Sequence, residues 1–279
     1  MTIFEAVLLG LVQGITEFLP ISSSAHVQIV QQLLGISDLA RPELTAFIAI
    51  IQIGTELAVI LFFAKTVLEI LRAWFSDALK PWGNQSESSR LGWFLIIGSV
   101  PIFVLGLALQ NLIENQFRSL WVIAFTLIAF GLLLGVADRL GSKLRDLSSI
   151  TPKSALMLGL GQALALVPGV SRSGGTITVA LALGFKRESA ARYSFLLAIP
   201  AVLAAGTYQF VKYAGDLPPD LLLATLIATA VSFASGLAVI AWLLRFLNRG
   251  SFLPFVIWRV SVGILLLVGL SSGWIVDIA

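Results

Sequence analysis

Glu17, Ser23, His26 and Arg172 are the side chains of this sequence best suited to bond-making chemistry, and all lie within strongly apolar stretches. The first three share the run Gln13-Gly-Ile-Thr-Glu17-Phe-Leu-Pro20-Ile-Ser22-Ser23-Ser24-Ala-His26. The fourth belongs to Gln162-Ala-Leu-Ala-Leu-Val-Pro168-Gly169-Val-Ser171-Arg172-Ser173-Gly174-Gly175-Thr176. In each run a proline breaks a helix-forming segment and a serine cluster follows. A helix restarting there with a serine N-cap offers free backbone N–H groups and the positive end of its dipole, which suits an anion. Ser22 and Ser24 on one side, with Ser171, Ser173, Gly174 and Thr176 on the other, are therefore candidates to cradle a phosphate. The plainer alternative is that these serines only cap. Gly169, Gly174 and Gly175 leave room for close backbone approach. Arg172 supplies a planar, multidentate donor for phosphate oxygens, unless it serves only a structural ion pair.

His26 follows Ser23 by three residues and Ser22 by four, so all three share a helical face. Serine beside imidazole suggests an activated nucleophile, or an imidazole acting as nucleophile or acid/base. A lone histidine in a soluble core is more often structural, but ionisable groups at membrane depth are functional candidates by default. Gln13 and Glu17, spaced i, i+4, project from one face; a carboxylate and an amide oxygen could hold a divalent cation or orient a water. Gln52 and Glu56 repeat that spacing and read as structural or supporting.

The surroundings of these residues decide the class of protein. Of 279 residues 58% are hydrophobic and only 12% charged, with mean hydropathy +0.97. A soluble domain carries about 25% charged residues, so the chain reads as an all-α integral membrane protein. Its formal charge of +3 does not suggest nucleic acid. Without cysteine there are no disulfides, thiolate nucleophiles or thiolate-bound metals, and one histidine excludes a multi-His zinc site. A metal would need oxygen ligands, as Mg²⁺ or Ca²⁺ prefer. The amino-terminal residues lack the positive region of a signal peptide and read as part of the mature fold.

Residues 91–113, 119–137, 193–211, 221–244 and 260–276 are free of charge and long enough to cross a bilayer; 44–64 joins them if Glu56 is buried. Residues 1–37 and 154–185 are too interrupted to cross and are expected to form re-entrant helical hairpins, whose irregular backbone protein must cover. Linkers 65–90, 138–153, 186–192 and 245–259 hold fourteen of the eighteen Lys and Arg. That side should be cytoplasmic, with Arg41, Arg118 and Lys212 opposite and Arg172 alone within a membrane segment. At an offset of 149, Leu9, Gly10, Leu11, Gln13, Ser22, Ser24 and Val30 match Leu158, Gly159, Leu160, Gln162, Ser171, Ser173 and Val179. About two such matches are expected in so Leu-rich a window. The chain is therefore expected to be a single polytopic domain built from repeats 1–149 and 150–279. Each repeat has one hairpin and three crossings; because three is odd, the repeats are inverted.

The two serine-containing runs resemble the signature motifs of the undecaprenyl-diphosphate phosphatases, the bacitracin-resistance family, and length and motif spacing extend the resemblance over essentially the whole chain. It implies hydrolysis of undecaprenyl diphosphate to the monophosphate and inorganic phosphate, recycling the carrier for peptidoglycan synthesis and so bearing on cell shape. It also implies an active site at the outer face of the bacterial cytoplasmic membrane, dependence on a divalent cation, and homodimers. By position, Glu17, Ser23, His26 and Arg172 correspond to the main functional residues, flanked by Ser171 and Ser173. Gln13 stands where many members have a second glutamate, which bears on a metal site shared with Glu17, and Ala25 replaces a common glycine. The alternative reading is a polyprenyl-phosphate transporter or flippase, which needs Arg172 and the helix ends but not a reactive Glu17 and His26. A membrane scaffold would leave those polar groups without purpose.

The charge distribution predicts opposite sides for residues 86 and 216. Single cysteines at Ser86 and Asp216 should react from opposite faces with an impermeant thiol reagent in intact cells; labelling of both from one face would exclude the inverted arrangement.

Overall fold

In the computed structural model, which describes residues 1–36, 41–109, 119–213 and 218–277, the two runs fold as helix–break–helix pairs. Helix α1, Ile3–Phe18, starts at a capping box between Thr2 and Glu5 and stops before Pro20, whose ring disfavours helical backbone at the preceding residue. Helix α2, Ser23–Leu33, restarts after Ser22, the N-cap. In the second half α7, Pro152–Ala163, starts at a capping box between Thr151 and Ser154, and α8, Arg172–Ala182, restarts after Ser171.

Particular positions 149 residues apart share their backbone geometry. Ser22 and Ser171, 149 residues apart, have φ of 75° and 73°, a region L side chains seldom adopt. Each accepts the N–H three residues on, from Ala25 at 3.4 Å and from Gly174 at 3.1 Å. Gly35 and Gly184 end α2 and α8 with φ of 64° and 84°. Ile36 N–H reaches back to Gln31 C=O at 3.1 Å, and Phe185 N–H to Ala180 C=O at 3.0 Å, closing equivalent left-handed caps.

Among the described residues six helices are long and apolar enough to cross a bilayer. They are α3 (Arg41–Phe62), α5 (Glu87–Ala108), α6 (Leu120–Leu140), α9 (Arg187–Tyr213), α10 (Pro219–Leu247) and α11 (Leu253–Ser271). Each overlaps an expected span. Among the described residues all regular structure is helical, apart from one isolated bridge between Arg145 and Phe185. Arg118 and Asp216, and the end of the expected span 91–113, lie outside the described residues.

Helix α1 packs on α10 as α7 packs on α5, and α3 on α10 as α9 on α5; the pairs α3–α9 and α6–α11 join the halves. Exchanging the two halves reproduces this set of pairings. At the crossings, Gly10 lies against the Ala228 carbonyl and Gly159 against the Gly98 carbonyl. Such close backbone approach is the usual basis of helix association in lipid.

Two expectations need correction. Residues 65–90 are not simply a linker: α4, Ala64–Asp77, is helical, with Leu68, Leu71 and Phe75 exposed. More importantly, residues 245–259 do not form one polar linker. The final crossing begins at Leu253, and Arg259 lies inside it with no solvent exposure. The positive linkers thus hold thirteen Lys and Arg, and two arginines, Arg172 and Arg259, are internal. The remaining asymmetry is still large.

A methyl group at Gly10 would come within 2.4 Å of Ala228 O, and one at Gly159 within 2.2 Å of Gly98 O. Gly10→Ala and Gly159→Ala should each destabilise by about 1–3 kcal/mol through overpacking. Gly83→Ala, with open space around it, should leave the melting temperature in detergent unchanged.

Candidate active site

Glu17 ends the last turn of α1, and its carboxylate is where the two breaks meet. Oε1 accepts from Arg172 Nη2 at 2.5 Å. Oε2 accepts from Gln13 Nε2 and from Ser23 Oγ, both at 2.6 Å. The i, i+4 spacing delivers Gln13; the serine-capped restart delivers Ser23. Arg172 arrives from the other half, at the repeat position equivalent to Ser23. Backbone contacts tighten the junction: Ser173 Oγ donates to Leu19 O at 3.2 Å, and Arg172 Nη1 donates to Ala198 O at 3.3 Å.

The serine clusters mirror each other. Ser22 and Ser24 hydroxyls are 3.2 Å apart, and those of Ser171 and Ser173 3.1 Å apart. Ser22, Ser171 and Ser173 are buried, Ser23 and Arg172 are partly accessible, and Ser24 is exposed. Ser22 and Ser171 do act as caps, consistent with the plainer reading of their hydroxyls. Thr176, fully buried, gives its hydroxyl to Arg172 O at 3.1 Å, inside its own helix.

The glycines have a different use from the one expected. A Cβ at Gly174 would meet Arg259 Nη1 at 2.8 Å, one at Gly175 would meet Gly161 O at 2.3 Å, and one at Gly169 would meet Thr126 Oγ1 at 2.0 Å. Protein atoms fill the space that was expected to admit a ligand, so these glycines serve helix packing and, at Gly169 with φ +89°, the turn itself.

His26 shares a helix with Ser23, yet its ring faces elsewhere. Nδ1 lies 2.8 Å from Ser22 O, and Nε2 accepts from Trp258 Nε1 at 2.8 Å. The tautomer carrying hydrogen on Nδ1 satisfies both contacts. The hydroxyl expected beside an imidazole is held by a carboxylate instead.

Sequence reasoning missed Arg259 because a charge near the end of an apolar segment reads as a loop residue. Its guanidinium donates to Pro20 O, Gly169 O and Val170 O, touching both breaks. Glu56, whose spacing with Gln52 was visible, lies fully buried with Oε2 at 3.6 Å from Arg172 Nη2. That ties it to the site, and its pairing could only come from the fold.

The donor set fits a hard cation in one respect. Gln13 Oε1 and both Glu56 oxygens are buried acceptors with no hydrogen-bond donor, as oxygen ligands of a cation would be. Among the described residues no group of three His, Cys, Asp or Glu is gathered for a metal, so substrate oxygens would have to complete the shell. Cavities of about 410 Å³, lined by Leu105, Met157, Leu160 and Val167 among others, and about 250 Å³, beside Trp82 and Leu147, exclude Glu17 and Arg172.

Chemically, a serine hydroxyl lies on a carboxylate, the same carboxylate lies on an arginine, and two capped helix ends flank them. This is suited to accepting a proton from a nucleophile while holding a phosphorylated substrate. The chain is 50% identical over 273 residues to an undecaprenyl-diphosphatase of a Nocardioides species, covering 96% of this chain and 97% of that protein. It is 48% identical over 276 residues to an undecaprenyl-diphosphatase of Micrococcus luteus, covering 98% and 99%, and 49% identical over 273 residues to one of Thermobifida fusca, covering 98% and 92%. Residues 6–265, which include every side chain of the Glu17–Arg172 junction, match the family described as bacitracin resistance protein BacA, and the chain belongs to that family.

Proposed function

We propose that this protein hydrolyses undecaprenyl diphosphate to undecaprenyl phosphate and inorganic phosphate, as an enzyme that recycles the lipid carrier of peptidoglycan synthesis and supports bacitracin resistance. The observation that carries the reading is the contact of Ser23 Oγ with Glu17 Oε2 at 2.6 Å, next to the Arg172 fork. A carrier that only binds and releases its lipid has no need of a hydroxyl poised on a carboxylate, and the curated relatives bear the phosphatase name.

In this reading Arg172 turns its fork from Glu17 to the diphosphate, which lies across the N-termini of α2 and α8. Ser23 Oγ attacks the terminal phosphorus and its proton passes to Glu17. The bond from that phosphorus to the bridging oxygen breaks, and undecaprenyl phosphate leaves as an anion that requires no proton. Water then attacks the phosphoserine; its oxygen and one hydrogen depart in inorganic phosphate, and the other hydrogen restores the serine hydroxyl. The proton left on Glu17 is the one that anhydride hydrolysis releases near neutral pH. Ser22, Ser24, Ser171, Ser173 and the helix ends orient the phosphates, while Gly174 and Thr176 support that loop. A divalent cation, Mg²⁺ or Ca²⁺, held by Glu17 and the amide oxygen of Gln13 would supply further charge neutralisation.

The membrane setting belongs to the same proposal. Residues 1–149 and 150–279 are the inverted repeats of one domain, and α1–α2 and α7–α8 are its re-entrant hairpins. The Lys- and Arg-rich loops face the cytoplasm, so the site opens to the outer face of the cell membrane. The lipid tail passes between helices into the bilayer, and two copies associate as a homodimer.

Purified protein in detergent should release phosphate from undecaprenyl diphosphate; tight binding without release would favour the carrier. Arg172→Lys keeps the charge but loses the planar fork, so kcat/KM should fall by about 10²-fold or more. Near-normal activity of a folded Arg172→Lys protein would remove the fork from the mechanism.

Glu17→Gln and Ser23→Ala should each lose about 10²–10⁴ in rate. Acting as one unit, the double variant should be little worse than either single. His26→Ala should lose less, because its ring nitrogens face Ser22 O and Trp258. Equal inactivity of His26→Ala and Ser23→Ala would return the imidazole to the reacting centre.

A further inference from the structure

Arg259 is the fully buried arginine of the last crossing, and among the described residues no carboxylate pairs with it. A guanidinium inside a membrane segment is ordinarily neutralised by an acid or directed at a ligand. Here it is satisfied by carbonyl oxygens alone. Nη1 donates to Pro20 O and to Val170 O, both at 3.0 Å. Nη2 donates to Gly169 O at 2.9 Å and Thr126 O at 3.4 Å, and Nε to Leu127 O at 3.3 Å. Five donors meet five acceptors.

Their distribution along the chain is what matters. Pro20 lies between Glu17 and Ser23, in the first break. Gly169 and Val170 immediately precede Ser171 and Arg172, in the second. Thr126 and Leu127 belong to α6, which also supports the second break through the Thr126 hydroxyl, 2.7 Å from Pro168 O. A single nitrogen, Nη1, bridges the two breaks from opposite halves of the chain. The Pro20, Gly169 and Val170 carbonyls belong to buried residues outside any helix, where water does not readily replace a lost donor. The retained charge lies behind two helix N-termini and adds to their attraction for an anion.

We propose that Arg259 is a positioning residue for the diphosphatase reaction, fixing the two breaks in register so that the Glu17–Ser23 arm and the Arg172 arm meet at reacting distance. Its kinetic consequence rests on the phosphatase reading; its structural consequence does not. A lysine would keep the charge but gather its donors on one nitrogen, unable to reach carbonyls spread around a planar fork. The close approach of Gly174 to Nη1 shows how little room the fork has to shift.

The test compares Arg259→Lys with the parent chain in detergent. Amide exchange in residues 19–24 and 169–173 should speed at least about tenfold, with α9 and α10 unchanged, because the breaks lose their donors and Arg259 donates to neither of those helices. For phosphate release from undecaprenyl diphosphate, kcat should fall roughly 10²-fold, the scale of a misplacement of about 1 Å, with KM within about threefold. Unchanged exchange at the breaks, or a uniform rise over the whole chain with kcat per folded molecule preserved, would overturn the proposal and leave a merely structural arginine. If the parent chain itself released no phosphate, the phosphatase reading would fail while the exchange comparison still decided this one. Should Arg259→Lys not fold, Gly131→Ala takes its place, since its Cβ would come within 3.1 Å of Arg259 Cβ and 3.6 Å of Nε. Faster exchange confined to the two breaks in Gly131→Ala would support the clamp, and no change there would overturn it.

Discussion

The Glu17 carboxylate, itself buried, accepts hydrogen bonds from Gln13, Ser23 and Arg172. Removing one partner of a buried ion pair leaves an uncompensated charge, typically at a cost of about 3–5 kcal/mol. The two halves of the chain are therefore held to one arrangement at this point. Helix α1 must end at Pro20, α2 must restart at once, and α8 must bring its first residue within reach of both. Glu56, buried 3.6 Å from the same guanidinium nitrogen, adds a second carboxylate to the field around Arg172. Under the proposed reaction, a diphosphate entering this junction would compete with Glu17 for the arginine and so free the carboxylate for Ser23.

The repeat supplies one backbone motif twice and different chemistry each time. Ser23 and Arg172 occupy the same position, the first residue of a serine-capped helix. Glu17 is matched by Leu166 and His26 by Gly175. Backbone conformation, capping and terminal glycines are shared, whereas the ionisable side chains are divided between the halves. A junction built where the halves meet can so place a serine hydroxyl and an arginine fork on one carboxylate from two copies of one structural solution.

Close packing makes that meeting possible. Glycines at the α1–α10 and α5–α7 crossings bring backbones together, and Gly174 and Gly175 let α8 lie against Arg259 and α7. In lipid, where apolar side chains gain little by leaving the acyl chains for one another, such fit and the hydrogen bonds it permits provide much of the association energy. The carbonyls freed at the breaks are the cost of interrupting a helix, and the Arg259 guanidinium offsets it for both breaks together.

Much of this was legible in the sequence. Proline placement located the breaks, serines after them located the caps, and uninterrupted apolar length located the crossings, because each is governed by neighbours a few residues apart. The 149-residue offset exposed the repeat, and Glu17, Ser23 and Arg172 were conspicuous as polar groups in apolar runs. What only the tertiary structure decided concerns partners distant in the chain. Spacing within one helix paired Ser23 with His26; the orientation of α2 against α11 gave the histidine to Trp258 and left the serine to the Glu17 carboxylate across the break. The glycines of the second break read as openings for a ligand because sequence shows a missing side chain but not what fills its place. Arg259 read as a loop residue because hydropathy scores a charge as water-facing, and the carbonyls that neutralise it come from residues 20, 126, 127, 169 and 170, which are brought together only when both broken helices and two crossings have packed.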